Sequence, residues 1–197
     1  HWLFDPEAKP LVLRGAPGMG KRCALLAAAA VMAQRRSEEF SVYFESKAAQ
    51  AFLEEGKRLR DVQFMPVVLQ AEEIVRMVEG KGLAAEHVYA AVAAVLFGTA
   101  TPDKTQRDAA ASRMATYPYA LLIDGLESLR GAIQPRGLMT LLAKIRGTPE
   151  GAKLKIVATA RAGVQRGDRT EVELQPLSDD QIDLFMSCFV DDTFPAP

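Results

Sequence analysis

Residues 11–26 have the sequence LVLRGAPGMGKRCALL, which joins a short apolar run, a glycine-rich loop and a segment rich in alanine and leucine. The apolar run Leu11–Leu13 predicts a buried strand. The segment 21–34 predicts a helix, because alanine and leucine are strong helix formers. A glycine-rich loop between a strand and a helix lets successive backbone N–H groups point at an anion. This stretch therefore predicts a phosphate-binding loop at the end of a buried strand.

The loop fits the pattern G-x-x-x-x-G-K, whose lysine reaches the β- and γ-phosphates of a nucleotide. The position after the lysine normally holds Ser or Thr, whose hydroxyl binds Mg²⁺, but here it holds Arg22. Two alternatives stay open: the Arg22 guanidinium takes the electrostatic role of the metal, or it points away and water completes the metal's shell. Cys23 is expected to be a small packing residue rather than a nucleophile. The predicted nucleotide contacts of the loop are Gly15, Ala16, Pro17, Gly18, Met19, Gly20, Lys21, Arg22 and Cys23.

Candidate strands and helices alternate along the rest of the chain. Further strands are predicted at 40–44, 62–69, 119–124, 154–159 and 170–174, and helices at 47–59, 71–78, 85–97, 106–115 and 136–145. Pro66 cannot donate to a strand ladder, so its strand is expected to lie at an edge or to begin late. The alternation predicts an α/β fold in which a parallel sheet is covered by helices on both faces.

Two later strands carry polar residues where they end. Residues 121–127, LLIDGLE, predict a buried strand that ends on Asp124, which is expected to hold Mg²⁺, usually through water. Glu127 is the candidate to polarise the attacking water, with a solvated loop acid as the alternative. Residues 155–161, KIVATAR, end another strand with Thr159 and Arg161. Open parallel sheets bind ligands beyond the carboxyl ends of their strands, so both residues are predicted to face the γ-phosphate. Arg161 could then distinguish triphosphate from diphosphate, and an ordinary surface arginine is the alternative.

The three motifs, in this order and spacing, resemble those of the signal-transduction ATPases with numerous domains (STAND), and most closely their NACHT branch. Residues 121–129, LLIDGLESL, look like that branch's apolar strand followed by Asp-Gly-Leu-Asp-Glu-Leu, and residues 159–161 look like its sensor Thr-Ser-Arg. The resemblance covers roughly residues 2–185, and only in outline between 45 and 115. It implies a three-layer P-loop NTPase fold with a five-stranded sheet in the order 5-1-4-3-2, in which the sensor strand lies between the loop strand and the acid strand.

The family resemblance also implies a domain organisation and a role. Residues 1–177 are expected to form the nucleotide-binding domain and residues 178–197 the start of a following helical segment, in a fragment of a longer protein. Such a domain is a switch in which ATP or ADP controls oligomerisation, between effector and sensor domains of the same chain, often in innate immunity. Separately, Cys23 and Cys188 lie far apart without a paired spacing, which favours a reducing, cytoplasmic setting. Three departures are Arg22, Glu127 in place of Asp, and Ser128 in place of Glu. Because the first and last remove groups from the metal and water side, weak or absent hydrolysis is expected, and Mg²⁺ binding stays open.

Three other functions remain open for this sequence. An active ATPase or a small-molecule kinase shares the phosphate loop, although no arginine-rich lid is visible, and an interaction scaffold with a decayed pocket is a further alternative. The Asn-Lys-x-Asp pattern of GTPases is absent from the sequence, which favours adenine.

A net charge of −1, from 24 basic and 25 acidic residues, gives no reason to expect a nucleic acid. The longest apolar stretch, residues 24–33, is too short for a membrane span.

Overall fold

The computed structural model describes residues 9–33, 64–78, 82–129, 133–149, 151–161, 170–176 and 178–180. Its strands are β1 Leu11–Arg14, β2 Met65–Gln70, β3 Tyr119–Asp124, β4 Lys155–Ala160 and β5 Thr170–Glu173. Its α-helices are α1 Lys21–Ala33, α2 Ala71–Arg76, α3 Ala85–Phe97, α4 Lys104–Thr116 and α5 Pro135–Arg146, and a 3-10 helix covers Leu126–Ser128. The strand predicted at 40–44 and the helix predicted at 47–59 lie outside the described residues.

The five described strands form one sheet in which every neighbouring pair is parallel. Their order is β2-β3-β4-β1-β5, so β4 lies between β1 and β3. The predicted α/β fold with a parallel sheet is confirmed. The strand order and the P-loop NTPase assignment for the whole chain stay predictions. Because all five strands are parallel, they end at one edge of the sheet, called here the carboxyl edge.

The two faces of the sheet are covered by different helices. Side chains alternate along a strand, and in β3 Leu121 and Ile123 pack into the cluster that contains residues of α2, α3, α4 and α5. Ala120 and Leu122 pack on the opposite face, against Leu25 of α1. Both clusters are buried, which explains why β3 is apolar over nearly its whole length. The same alternation places the even-numbered Asp124 on the α1 face.

Local sequence signals explain where several elements begin. The α4 helix begins at Lys104, two residues before the predicted start, because Asp103 and Gln106 cap it reciprocally: Asp103 Oδ1 accepts from Gln106 N at 2.8 Å, and Gln106 Oε1 accepts from Asp103 N at 3.0 Å. The β2 strand begins at Met65, directly before Pro66, as a strand that begins late. No helix within the described ranges is long and apolar enough to cross a membrane.

Candidate functional site

The loop between β1 and α1 has the backbone shape that its glycines allow. Gly18 and Gly20 have φ angles of 81° and 71°, in the left-handed region that side chains disfavour. Met19 N–H donates to the Ala16 carbonyl oxygen at 3.3 Å, which closes a tight turn. The first helical bond follows, from Ala24 N–H to the Gly20 carbonyl oxygen at 2.8 Å. The loop thus leads directly into the amino terminus of α1, where unpaired N–H groups and the helix dipole favour an anion.

Lys21, the first residue of α1, folds back over this loop. Its Nζ donates to the carbonyl oxygens of Gly15 at 2.8 Å and Ala16 at 2.9 Å. These acceptors are neutral, and a phosphate oxygen would make a stronger bond to the ammonium group because both partners would then be charged. The lysine is therefore held at the loop by contacts that an anionic ligand can replace.

Asp124 and Thr159 meet at the carboxyl edge on the α1 face. The register that pairs Ile123 with Ala158 brings the next residues of β3 and β4 side by side. Thr159 Oγ1 donates to Asp124 Oδ1 at 2.6 Å and accepts from Gly125 N–H at 2.8 Å, and Thr159 is fully buried. The hydroxyl is thus directed at Asp124, and the expected contact of Thr159 with a γ-phosphate stays a prediction.

The turn after β3 contains a residue whose role the sequence reasoning missed. Gly125 has a φ of 80°, and its N–H orients the Thr159 hydroxyl. Its carbonyl oxygen accepts from both Ser128 N at 3.0 Å and Ser128 Oγ at 2.8 Å. The signal was present, because Asp-Gly is a strong turn dipeptide. Gly125 therefore holds the turn after β3 and orients the Thr159 hydroxyl that donates to Asp124.

Arg22 reaches the same acid from α1. Its Nε lies 3.8 Å from Asp124 Oδ2, and the arginine side chain is 68% exposed whereas that of Asp124 is 15% exposed. Of the two alternatives for Arg22, the structure has the guanidinium beside the carboxylate rather than directed away from it. Each oxygen of Asp124 consequently faces a donor: Thr159 at Oδ1 and Arg22 at Oδ2.

The residues at this position do not match the usual Mg²⁺ site of such a loop. A guanidinium has five N–H donors and no acceptor, so it cannot replace the Ser or Thr oxygen as a ligand. Among the described residues, no group of three or more His, Cys, Asp and Glu side chains could hold a metal ion. Arg22 thus supplies no ligand at this position, and whether Mg²⁺ binds beside Asp124 stays open.

Glu127 and Arg161 form a second ion pair beyond the strand ends. Arg161 Nε lies 3.5 Å from Glu127 Oε1, with side-chain exposures of 59% and 23%. The other carboxylate oxygen, Oε2, is buried and has no hydrogen-bond partner within the part of the chain that the structure describes. Glu127 is thus partly buried and lies within ion-pair distance of Arg161, and the proposed roles of both residues stay predictions.

Cys23 differs from its prediction. Its thiol is free and exposed, so the expectation of a small packing residue is wrong. The reason is helical phase: Leu25 packs into the sheet on the buried side of α1, and Cys23 lies on the other side. Its proposed contact with a nucleotide remains a prediction.

Contacts join three of the predicted site residues at the carboxyl edge, Arg22, Asp124 and Thr159. Glu127 and Arg161 form a separate ion pair, and Lys21 contacts carbonyl oxygens of its own loop. No protein-family model and no curated protein matches this chain. The functional assignment consequently depends on the geometry of these residues.

Proposed function

We propose that this chain binds an adenine nucleotide at the carboxyl edge of the sheet, with the phosphates against the loop of residues 15–21. The observation that carries the proposal is the contact between Arg22 and Asp124 across 3.8 Å. It joins the phosphate loop to the acid strand, so the two motifs belong to one site. Ligands of open parallel sheets bind beyond the carboxyl ends of the strands, where both motifs lie.

The physical basis for phosphate binding is a concentration of donors around the loop. The left-handed glycines and the start of α1 turn backbone N–H groups outward, and a Cβ placed on Gly18 or Gly20 would meet nothing within 4 Å. Lys21 adds a full positive charge at the same place. A di- or triphosphate therefore finds both hydrogen-bond donors and positive potential there.

The role that we propose for this site is a switch domain of the NACHT type. Support comes from the motif residues, above all the strand ends LLIDGLE and KIVATAR. On this proposal Arg161 distinguishes ATP from ADP, and the nucleotide state controls self-association next to effector and sensor domains of a longer cytoplasmic signalling protein. Adenine is preferred because the sequence lacks the base-reading pattern of GTPases.

We further propose that hydrolysis is weak or absent. The candidate water-polarising group, Glu127, is paired with Arg161 at 3.5 Å. The neighbouring Ser128 donates its hydroxyl to the Gly125 carbonyl oxygen and offers no carboxylate. ATP turnover at an ordinary rate that needs Mg²⁺ and is abolished in Asp124→Asn would instead support an active ATPase, and transfer of phosphate to a small molecule would support a kinase.

A thermal-shift titration with ADP, ATP and GTP tests the proposal. A ligand that binds only the folded state raises the unfolding temperature, so both adenine nucleotides should stabilise the chain and GTP should do so much less. Equal stabilisation by GTP would contradict the choice of adenine. A folded chain that no nucleotide stabilises would favour the second candidate, an interaction scaffold, which the contacts of Lys21 with its own loop carbonyls also fit.

A further inference from the structure

Arg22 occupies the place where a hydroxyl ligand of Mg²⁺ is expected. It is the second residue of α1, directly after Lys21, and its Nε lies 3.8 Å from Asp124 Oδ2. The other oxygen of that carboxylate accepts from Thr159 at 2.6 Å. The acid that would hold a metal through water thus accepts a hydrogen bond from a hydroxyl of the protein and has a protein cation within ion-pair distance.

The guanidinium of Arg22 should disfavour a divalent cation beside Asp124. Arginine keeps its charge at any physiological pH, and a divalent cation beside it would meet strong repulsion at close range. The same group can donate two parallel bonds to phosphate oxygens. Because the Arg22 side chain is 68% exposed, part of its donor fork stays accessible to a ligand on the loop.

We infer that this site takes its nucleotide free of a divalent cation, with the Arg22 guanidinium filling the place of Mg²⁺ between Asp124 and the phosphates. The inference rests on the proposed nucleotide binding and specifies the form of the ligand. The loss of the Ser or Thr hydroxyl would by itself only weaken the binding of Mg²⁺. In this chain the residue that replaces it, Arg22, also lies beside Asp124, the acid expected to hold the metal.

The test is an ADP titration by calorimetry, in an excess of EDTA and again in an excess of Mg²⁺. The wild-type chain should bind ADP with dissociation constants that agree within about threefold in the two buffers. In Arg22→Thr, which restores the hydroxyl and removes the competing charge, affinity in EDTA should fall by about tenfold or more and Mg²⁺ should restore it. Arg22→Gln, which supplies neither charge nor hydroxyl, should bind weakly in both buffers.

The matched control is Arg113→Thr. Arg113 is in the last turn of α4, close to where β3 begins and so at the opposite edge of the sheet, and this variant should behave as the wild type. Far-UV circular dichroism establishes that each variant is folded. Wild-type binding that requires Mg²⁺ would overturn the inference and leave nucleotide binding intact. Unchanged metal independence in Arg22→Thr would also overturn it, and an absence of ADP binding in both buffers would overturn it together with the proposed function.

Discussion

The Thr159 hydroxyl donates to Oδ1 of Asp124 across 2.6 Å and ties the end of β4 to the end of β3. Thr159 has no exposed surface, and its hydroxyl also accepts from the N–H of Gly125. The bond is therefore largely shielded from water, which strengthens a hydrogen bond to a charged group. It fixes the carboxylate so that Oδ2 faces Arg22.

Removing that hydroxyl should cost stability. Thr159→Val keeps the shape of the side chain but leaves a carboxylate oxygen and a backbone N–H without their partner, so we expect a loss of about 1–3 kcal/mol in the free energy of unfolding. Thr159→Ser keeps the hydroxyl and should lose less. Urea denaturation measures both variants, and equal stability of the two would show that the bond contributes nothing.

The pair of Arg161 and Glu127 should govern the choice between ATP and ADP. On the proposed assignment Arg161→Ala should weaken ATP binding by about tenfold, because a charge-assisted bond to the γ-phosphate is lost, and leave ADP binding nearly unchanged. Glu127→Gln weakens the 3.5 Å ion pair that competes for the guanidinium, so its ATP affinity should rise. Calorimetric titration with ATP and with ADP measures both affinities in each variant. An equal loss for ATP and ADP in Arg161→Ala would exclude a γ-phosphate sensor.

Tyr119 should make the fold sensitive to alkali. Burial raises the pKa of its phenol above the ordinary value, partly opposed by the charge of Arg113. Below about pH 10 the phenol is protonated in both the folded and the unfolded chain. Above that pH the unfolded chain loses the proton first, so the free energy of unfolding falls as the pH rises toward the pKa of the folded state. Tyr119→Phe should lessen this fall in unfolding curves measured at successive pH values.

Tyr119→Phe should not be destabilised at neutral pH. The Tyr119 hydroxyl is buried and has no hydrogen-bond partner among the described residues. Its removal should therefore leave the free energy of unfolding unchanged or raise it by about 1 kcal/mol. A clear loss of stability in Tyr119→Phe at pH 7 would indicate that the hydroxyl is hydrogen-bonded in solution.

Alanine substitutions at two glycines in and near α5 should change the free energy of unfolding in opposite directions. A Cβ on Gly151 would overlap the Ile145 carbonyl oxygen and lie 2.8 Å from the Arg146 Cα, so Gly151→Ala should cost about 1–3 kcal/mol. A Cβ on Gly137, inside α5, would meet nothing within 4 Å, and Gly137→Ala should add about 0.5–1 kcal/mol. The two melting temperatures provide the comparison. A stable Gly151→Ala would mean that the turn before β4 can move aside.

Much of the fold follows from local sequence. β3 and α3 have their predicted bounds, Tyr119–Asp124 and Ala85–Phe97. An unbroken apolar run is typical of a buried parallel strand, and an alanine-rich segment that stops at a glycine is typical of a helix with a glycine C-cap. The start of α4 was missed by two residues because the cap at Asp103 extends the helix. Local signals of this kind fix an element's type better than its ends.

The contacts within the site depend on distances that no local pattern contains. Asp124 and Thr159 could be predicted at one edge because parallel strands end together. The approach of Arg22 to Asp124 requires the start of α1 and the end of β3 to be close, and the packing of α1 on the sheet determines that distance. The pairing of Arg161 with Glu127 depends in the same way on two loop conformations. Whether Arg22 approaches Asp124 or points away, and whether Arg161 pairs with Glu127, therefore depends on tertiary structure.

The central claim is that the loop of residues 15–21 holds the phosphates. Calorimetric titration of ADP into the wild-type chain and into Lys21→Ala tests it most directly. Lys144→Ala is the control, since Lys144 is an exposed lysine in the last turn of α5, away from the carboxyl edge. We expect the wild type and Lys144→Ala to bind ADP with a dissociation constant below about 1 μM, and Lys21→Ala to show no binding. Unchanged ADP affinity in a folded Lys21→Ala chain would contradict the assignment of the phosphate loop.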